Sequence, residues 1–150
     1  MATDYPRRGQ SRPTPVTALL VLLGLLGLSG LVGGIALLAD TSGGVLDLPT
    51  SLLAGSPFTD YLIPGLALFA FLGVFPLLAA GALVTRHRLA WHGVLAVGLA
   101  VVVWFAVQTV VVGLGNALQW LYLSLGLGIL AVGFLPSVRR YATPRPTRLP

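Results

Sequence analysis

The sequence predicts an all-α, membrane-embedded protein folded as an antiparallel four-helix bundle. Four long apolar runs are separated by short polar segments, and only 9% of the 150 residues are charged while 56% are hydrophobic. A soluble domain carries roughly a quarter charged residues, so this chain lacks the charge to cover a surface that faces water. Lipid is therefore the predicted solvent of most of the chain.

The first apolar run covers residues 16–39 and follows a polar, proline-rich segment over 1–15, which is expected to be a flexible tail. As a helix the run would rise about 36 Å, which exceeds the roughly 30 Å hydrocarbon core of a bilayer. A signal peptide is the alternative interpretation, but its apolar region is about 7 to 15 residues long and ends at a small-x-small cleavage site. Leu37 and Leu38 occupy that place before Asp40. We therefore predict an uncleaved transmembrane helix.

Three further apolar runs complete the predicted transmembrane domain, which covers residues 16–138. Helices of soluble proteins pair one apolar stripe with a polar face, and strands of membrane barrels alternate apolar and polar residues. These runs are apolar on all sides, so each is predicted to be a transmembrane helix, the second kinked at Pro76. The predicted helices cover 61–85, 89–112 and 118–138, with a polar loop over 40–60 and a second flexible tail over 139–150.

The arginines predict the orientation of the helices. All nine basic residues are Arg, and they fall in the two tails and in the 86–88 turn, whereas three of the four acidic residues lie in the 40–60 loop. An excess of Lys and Arg marks cytoplasmic segments. Both termini are therefore expected in the cytoplasm, with the chain in a bacterial cytoplasmic membrane. The net charge of +5 then anchors the chain beside lipid, and no nucleic-acid partner is expected.

Small residues predict where the helices touch. Apolar burial gives little drive for helix association in lipid, and close backbone approach through small residues supplies the contact instead. On the third run the small-residue face is predicted to start at Gly93 and to pass through Ala96, Ala100 and Trp104 to Gln108. The predicted helix-packing residues are Gly27, Gly30, Gly34, Gly65, Gly73, Gly93, Ala100, Gly126 and Gly133.

The predicted helices carry few groups that could support chemistry. No Asp, Glu, Lys or Arg lies inside a run, and the chain has no Cys. A proton needs a titratable stop at membrane depth, so proton-coupled transport and proteolysis by paired Asp are disfavoured. His92 lies one turn into the third run without a second intramembrane His, so it is interpreted as an interfacial residue and not as a haem or metal ligand. We predict no catalytic residue, no cofactor and no metal site.

A polar cluster is predicted at the outer leaflet, around Gln108. A primary amide is costly when it faces lipid, so Gln108 is expected to point into the bundle. The topology gathers its polar neighbours at a similar depth. The cluster comprises Gln108, Gln119, Tyr122, Asp60 and Asn116. Two interpretations stay open: a hydrogen bond from Gln108 to the start of the fourth helix, or the floor of a small outward-facing polar pocket.

Three short motifs carry a resemblance to known proteins. Residues 56–65, Ser-Pro-Phe-Thr-Asp-Tyr-Leu-Ile-Pro-Gly, lead into the second run, and Trp104-x-x-x-Gln108 and Leu118-Gln119-x-x-Tyr122 follow. Together they resemble a group of small bacterial membrane proteins with four transmembrane helices and no characterised role. The resemblance covers about residues 56–135. It implies the same topology and carries no activity.

The sequence favours a non-catalytic bundle that associates with lipid, with another membrane protein or with a second copy of itself. A passive pore or transport component, functioning as an oligomer, is the alternative. A pore needs a polar stripe through the full depth of a helix, which the inner halves of these runs lack. A membrane enzyme is the third hypothesis, and it lacks a visible nucleophile–base pair or metal-ligand set.

Overall fold

The computed structural model describes residues 12–115 and 117–143, and the regular structure within those ranges is entirely helical. The prediction of an all-α fold is therefore confirmed. Two short 3₁₀ turns, Gly44–Leu46 and Thr50–Leu53, lie in the loop between the first two helices. The helices are α1 (Thr14–Ala39), α2 (Leu62–Val84), α3 (Ala90–Val112), α4 (Ala117–Gly133) and α5 (Pro136–Ala142).

Three of these helices are long and apolar enough to cross a membrane: α1 with 26 residues, and α2 and α3 with 23 residues each. Their bounds agree with the predicted spans over 16–39, 61–85 and 89–112 to within two residues. The helices α4 and α5 form a fourth candidate crossing only when taken together, because they meet at a bend of 74°.

The fourth predicted helix, over 118–138, differs from the structure because the chain breaks before Pro136. Proline has no N–H and disfavours the helical conformation in the residue that precedes it. Leu135 accordingly has an extended backbone, with φ −61° and ψ 135°, and Pro136 opens α5. The short helix then includes Arg139 and Arg140, where the sequence predicted the start of a flexible tail.

Pro76 distorts α2 without ending it. A proline ring clashes with the carbonyl of the residue four positions earlier, so the preceding turn of an α-helix has to widen or bend. In α2 the segment Leu68–Val74 is a π-helix, and the α-helix resumes at Phe75. The expected distortion at Pro76 therefore takes the form of a widened turn.

Each of the four long helices packs against two others: α1 contacts α2 and α4, and α3 contacts α2 and α4. We call the end that holds the 86–88 turn the inner end, and the end that holds the 40–60 loop the outer end. Most buried residues lie in the inner half. They are Val16, Leu19, Leu23, Leu26, Leu72, Ala79, Leu83, Ala90, Val94, Val97, Val101, Ile129, Val138 and Ala142. On α3, no residue beyond Val101 is buried, so α3 is closely packed in its inner half and loosely packed in its outer half.

Glycines bring the backbones of α1 and α2 into direct contact. A Cβ atom added at Gly30 would overlap the Leu72 carbonyl group and would lie 2.5 Å from the Gly73 nitrogen. A Cβ at Gly34 would lie 2.7 Å from the Phe69 Cα. Real Cβ atoms essentially never approach a heavy atom within 3.0 Å, so only glycine permits this separation. The remaining predicted glycines of this pair, Gly27 and Gly65, are buried as well.

The α3–α4 contact uses a different face of α3 from the one predicted. A Cβ at Gly98 would lie 2.6 Å from Leu130 Cγ, and a Cβ at Gly126 would lie 2.7 Å from Val101 Cγ1. By contrast, a Cβ at Gly93 would make only an ordinary contact at 3.8 Å, and Ala100 is half-buried. The inner part of the predicted face, which holds Gly93, Ala96 and Ala100, is rotated from the packed face by roughly a quarter turn, at 100° per residue.

The difference between the small-residue face and the face packed on α4 has a physical cause in the valines of α3. The prediction followed the small residues alone, whereas the structure packs Val94, Val97 and Val101 beside one glycine. Branched valines fill the space between helices while Gly98 lets the α4 backbone approach. On α4 itself the predicted face agrees with the burial, since Gln119, Gly126 and Gly133 are buried.

Candidate functional site

The outer halves of the four long helices enclose a cavity of about 730 Å³. Residues of α1, the first turns of α2, the last turns of α3 and the first turns of α4 form its walls, and the 40–60 loop contributes as well. Sites for small molecules in proteins have volumes of about 300 to 1,000 Å³ and are mostly apolar. We refer to this space as the outer cavity.

The 40–60 loop forms a roof over the outer cavity. Leu46, Leu48, Leu52 and Phe58 line the cavity from the loop side. Tyr61, which is 6% exposed, ties the loop down because its hydroxyl donates a hydrogen bond to the Pro49 carbonyl at 3.2 Å. Its backbone N–H also donates to the Thr41 carbonyl at 2.8 Å.

Gly43 allows the loop to turn back over the helices. Its φ of 84° lies in the left-handed region that favours glycine. A Cβ at this position would also collide with the Leu48 carbonyl and would lie 2.8 Å from the Tyr61 ring. The loop can therefore pack against Tyr61 only because residue 43 is glycine.

The mouth of the outer cavity opens sideways. Leu28, Val32 and Ile63 line the cavity and yet are more than half exposed. Leu25 and Leu118 have the same character, with exposed fractions of 56% and 53%. Because the roof covers the outer end, we infer from these exposed side chains that the cavity opens on the flank of the protein.

Most polar groups on the cavity wall have hydrogen-bond partners within the protein. The Tyr122 hydroxyl donates to Ser29 Oγ at 3.3 Å, and Ser29 donates to the Leu26 carbonyl at 2.9 Å. Gln119 is buried, and its Nε2 donates to the Gly113 carbonyl at 3.0 Å. The Tyr122–Ser29 contact joins α4 to α1 about midway along α1, where the closely packed inner half begins.

Two hydrogen-bond donors on α3 differ from these groups because they have no partner in the described part of the chain. The Nε1 atom of Trp104 is buried, and it has no hydrogen-bond partner in the described part of the chain. The half-buried amide of Gln108 also makes no hydrogen bond to residues 12–115 or 117–143. Both side chains line the outer cavity. A buried donor without an acceptor costs about 1–3 kcal/mol, so the Trp104 N–H is unusual for a purely structural wall.

The structure brings together three residues of the predicted polar cluster, since Gln108, Gln119 and Tyr122 all line the outer cavity. Asp60 is not part of the wall, because its carboxylate accepts the Leu62 N–H at 2.9 Å at the start of α2. Asn116 lies outside the described residues. The hydrogen bond predicted from Gln108 to the start of the fourth helix is absent among the described residues, and Gln119 bonds to the end of α3 instead.

Neither the roof nor the unpartnered N–H of Trp104 was predicted from the sequence. The signal for the roof was the number of large apolar side chains in a loop that was otherwise polar, among them Leu46, Leu48 and Phe58. No comparable signal marked Trp104, because the missing acceptor for its N–H becomes visible only when its neighbours are in place.

Arginines and aromatic rings gather at the inner end. The Arg86 guanidinium lies 4.3 Å from the centre of the Tyr141 ring, and that of Arg139 lies 5.0 Å from the centre of the Trp91 ring. Hydrogen bonding from Arg86 and its positive charge, with a contribution from Arg12, lower the pKa of the Tyr141 phenol. These contacts hold α5 against the 86–88 turn.

The polar groups elsewhere form no catalytic or metal-binding arrangement in the residues that the structure describes. His92 is exposed beside Trp91, with the two ring centres 5.0 Å apart. No group of three or more His, Cys, Asp or Glu residues suited to a metal ion occurs within 12–115 and 117–143. The Ser124 hydroxyl donates to the carbonyl of Trp120 in its own helix at 2.8 Å.

Comparison of the chain with protein-family models, with curated proteins and with solved structures finds no match. The resemblance carried by the three sequence motifs therefore stays a sequence-based expectation, and the function has to be inferred from the outer cavity.

Proposed function

We propose that this chain is a non-catalytic membrane protein that binds a membrane lipid in the outer cavity. The cavity itself is the observation that carries the proposal: it is roofed, its wall is mainly apolar, and its mouth faces sideways. A water-borne solute would have to pass the roof. A lipid that already lies in the outer leaflet reaches the mouth by lateral diffusion, with its acyl chain in an apolar medium throughout.

The proposed topology is an antiparallel bundle of four spans with both termini in the bacterial cytoplasm. The helix α4 has 17 residues and rises about 26 Å, so it nearly crosses a hydrocarbon core of about 30 Å. The sharp bend then lays α5 along the inner interface, where Arg139 and Arg140 meet lipid headgroups and water. Arg12, Arg86 and Arg139 lie at that same end, which supports a cytoplasmic inner face.

The packing of the inner half disfavours the alternative of a passive pore. Leu19, Leu23, Val97 and Val101 are fully buried below the Tyr122–Ser29 contact. A pore needs a continuous polar or water-filled path, and this apolar core closes the path at mid-depth. The hydroxyls of Ser29 and Ser124 donate to carbonyls of their own helices, which also gives little support to a serine nucleophile.

Native mass spectrometry of the purified full-length chain tests the proposal. Ala67 lines the outer cavity and is half-buried, whereas Ala70 lies three residues further along α2, is exposed and is not part of the wall. We expect wild type and Ala70→Phe to retain one phospholipid per chain after detergent exchange. Ala67→Phe should lose it because the phenyl ring fills the cavity. Equal retention in both variants, or no retained lipid in wild type, would refute lipid binding at this site.

A further inference from the structure

We infer that Trp104 and Gln108 recognise the uncharged ester carbonyl oxygens of a diacyl phospholipid whose acyl chain occupies the outer cavity. This inference rests on the proposed function and assigns the polar part of the ligand. It starts from two hydrogen-bond donors that line the cavity and that have no partner in the described residues.

The two donors are arranged to act on one ligand. Trp104 and Gln108 are four residues apart on α3, so they lie one above the other on the same face. That face continues the stripe that Val97 and Val101 form in the closely packed half. The indole N–H is only a donor, and the amide of Gln108 provides two more N–H groups. The complementary group is therefore an acceptor oxygen.

The depth of the donors fits the upper part of a lipid in the outer leaflet. At about 1.5 Å per residue, Gln108 lies about 6 Å below the end of α3 at Val112, and Trp104 lies about 12 Å below it. Gln108 is therefore placed to meet the first carbonyl below the interface. The inference requires the Trp104 indole to rotate before it meets the second carbonyl, because its Nε1 is inaccessible in the present arrangement.

The charge distribution favours a neutral acceptor over an anionic one. Among the described residues, the arginines lie at positions 12, 86, 88, 139 and 140, at the inner end of the helices. A carboxylate or phosphate held at the depth of Trp104 would have no cation beside it, and an unpaired buried charge is strongly unfavourable. An ester carbonyl accepts hydrogen bonds without that penalty. A free fatty acid is thus a poorer occupant than an esterified lipid.

The test compares two lipids that differ only in the carbonyls. Purified wild type is titrated with a diester phosphatidylcholine and with its diether analogue of the same chain length, and the dissociation constants are measured by native mass spectrometry. Because the diether loses both carbonyl hydrogen bonds, each of ordinary neutral strength, we expect the diester to bind about fivefold to a hundredfold more tightly. This comparison uses the native chain, so it does not depend on the folding of a variant.

Variants then assign the preference to the two side chains. Gln108→Leu and Trp104→Phe should each lower the ratio of diether to diester dissociation constants, whatever they do to the affinity for both lipids. The matched controls are Ser124→Ala and Trp120→Phe, which alter exposed residues outside the cavity wall and should keep the full preference.

The outcomes separate this inference from the proposed function. Equal binding of diester and diether by wild type would overturn the role of the carbonyls while leaving lipid binding intact. A preference that survives both α3 variants would overturn the assignment to Trp104 and Gln108. Displacement of the diester by an isoprenoid quinone, in a manner that requires both residues, would overturn the choice of a phospholipid. Failure of both phospholipids to bind would refute the proposed function itself.

Discussion

The contact between α1 and α2 gives a sharp mutational prediction, because it depends on one missing methyl group. In Gly30→Ala the new Cβ would overlap the Leu72 carbonyl and lie 2.5 Å from the Gly73 nitrogen, whereas ordinary contact begins at 3.4 Å. The two backbones would have to separate locally by more than about 0.9 Å, because the Leu72 carbonyl lies closer still than the Gly73 nitrogen. Both sides of the contact are helix backbone, so no side chain can rotate to relieve the overlap.

The energetic cost follows from the packing that this separation removes. Overpacking a closely packed interface costs about 1–3 kcal/mol, and replacing glycine by alanine within a helix regains at most about 1 kcal/mol. We therefore expect Gly30→Ala to lower the free energy of unfolding by about 1–2 kcal/mol. The matched control is Gly24→Ala in the same helix, where a Cβ would meet nothing within 4 Å. That variant should be neutral or slightly more stable.

The assay is unfolding in mixed micelles with increasing sodium dodecyl sulfate, followed by circular dichroism in the near ultraviolet. Gly34→Ala should unfold at a detergent fraction close to that of Gly30→Ala, because its new Cβ also meets backbone atoms, at Phe69. Gly27→Ala should cost less, since the nearest atoms belong to the flexible Leu77 side chain. If Gly30→Ala unfolds at the same detergent fraction as Gly24→Ala, the backbone contact between α1 and α2 is wrong.

Three further predictions address the topology, the cavity wall and the inner end. Reporter fusions at the C-terminus should report the cytoplasm and fusions within 41–59 the opposite side; a C-terminal fusion active outside the cytoplasm would contradict the topology. Gln119→Leu should lower the free energy of unfolding by about 1 kcal/mol, because it removes the bond to the end of α3, and detergent unfolding that matches wild type would contradict that bond. Tyr141 should titrate below its ordinary pKa of 10.0, and Arg86→Gln should raise that pKa, which ultraviolet absorbance of the tyrosinate measures. Because the folded-state pKa is lowered, the interaction adds stability only as the pH rises through that pKa towards 10, and identical titrations would refute it.

The number and bounds of the first three helices were predictable because lipid imposes a minimum apolar length on any segment that crosses it. The break before Pro136 also had a signal in the sequence, namely the proline itself. The prediction followed the continuous apolar run instead and placed one helix over 118–138. The packed face of α3 was not predictable in the same way. Small residues mark places where a helix can be approached, and the choice of Gly98 over Ala100 depends on which side α4 occupies.

The outer cavity was only partly predictable. The tendency of Gln108, Gln119 and Tyr122 to avoid lipid placed them on inward faces, and the structure has all three on one wall. The roof depends on long-range contacts, since Gly43 and Tyr61 are far apart in sequence and meet only after the loop has folded back. Composition and spacing carry no information about such a contact.

A structure of the chain determined in lipid nanodiscs, at a resolution that shows single acyl chains, is the most direct test of lipid binding in the outer cavity. We predict an ordered acyl chain that enters between Leu28 and Ile63, runs beneath the roof and ends above the Tyr122–Ser29 contact, with the ester oxygens of the lipid beside Gln108 and Trp104. A cavity without such density in an excess of lipid, or one closed by α1 moving against α4, would contradict it.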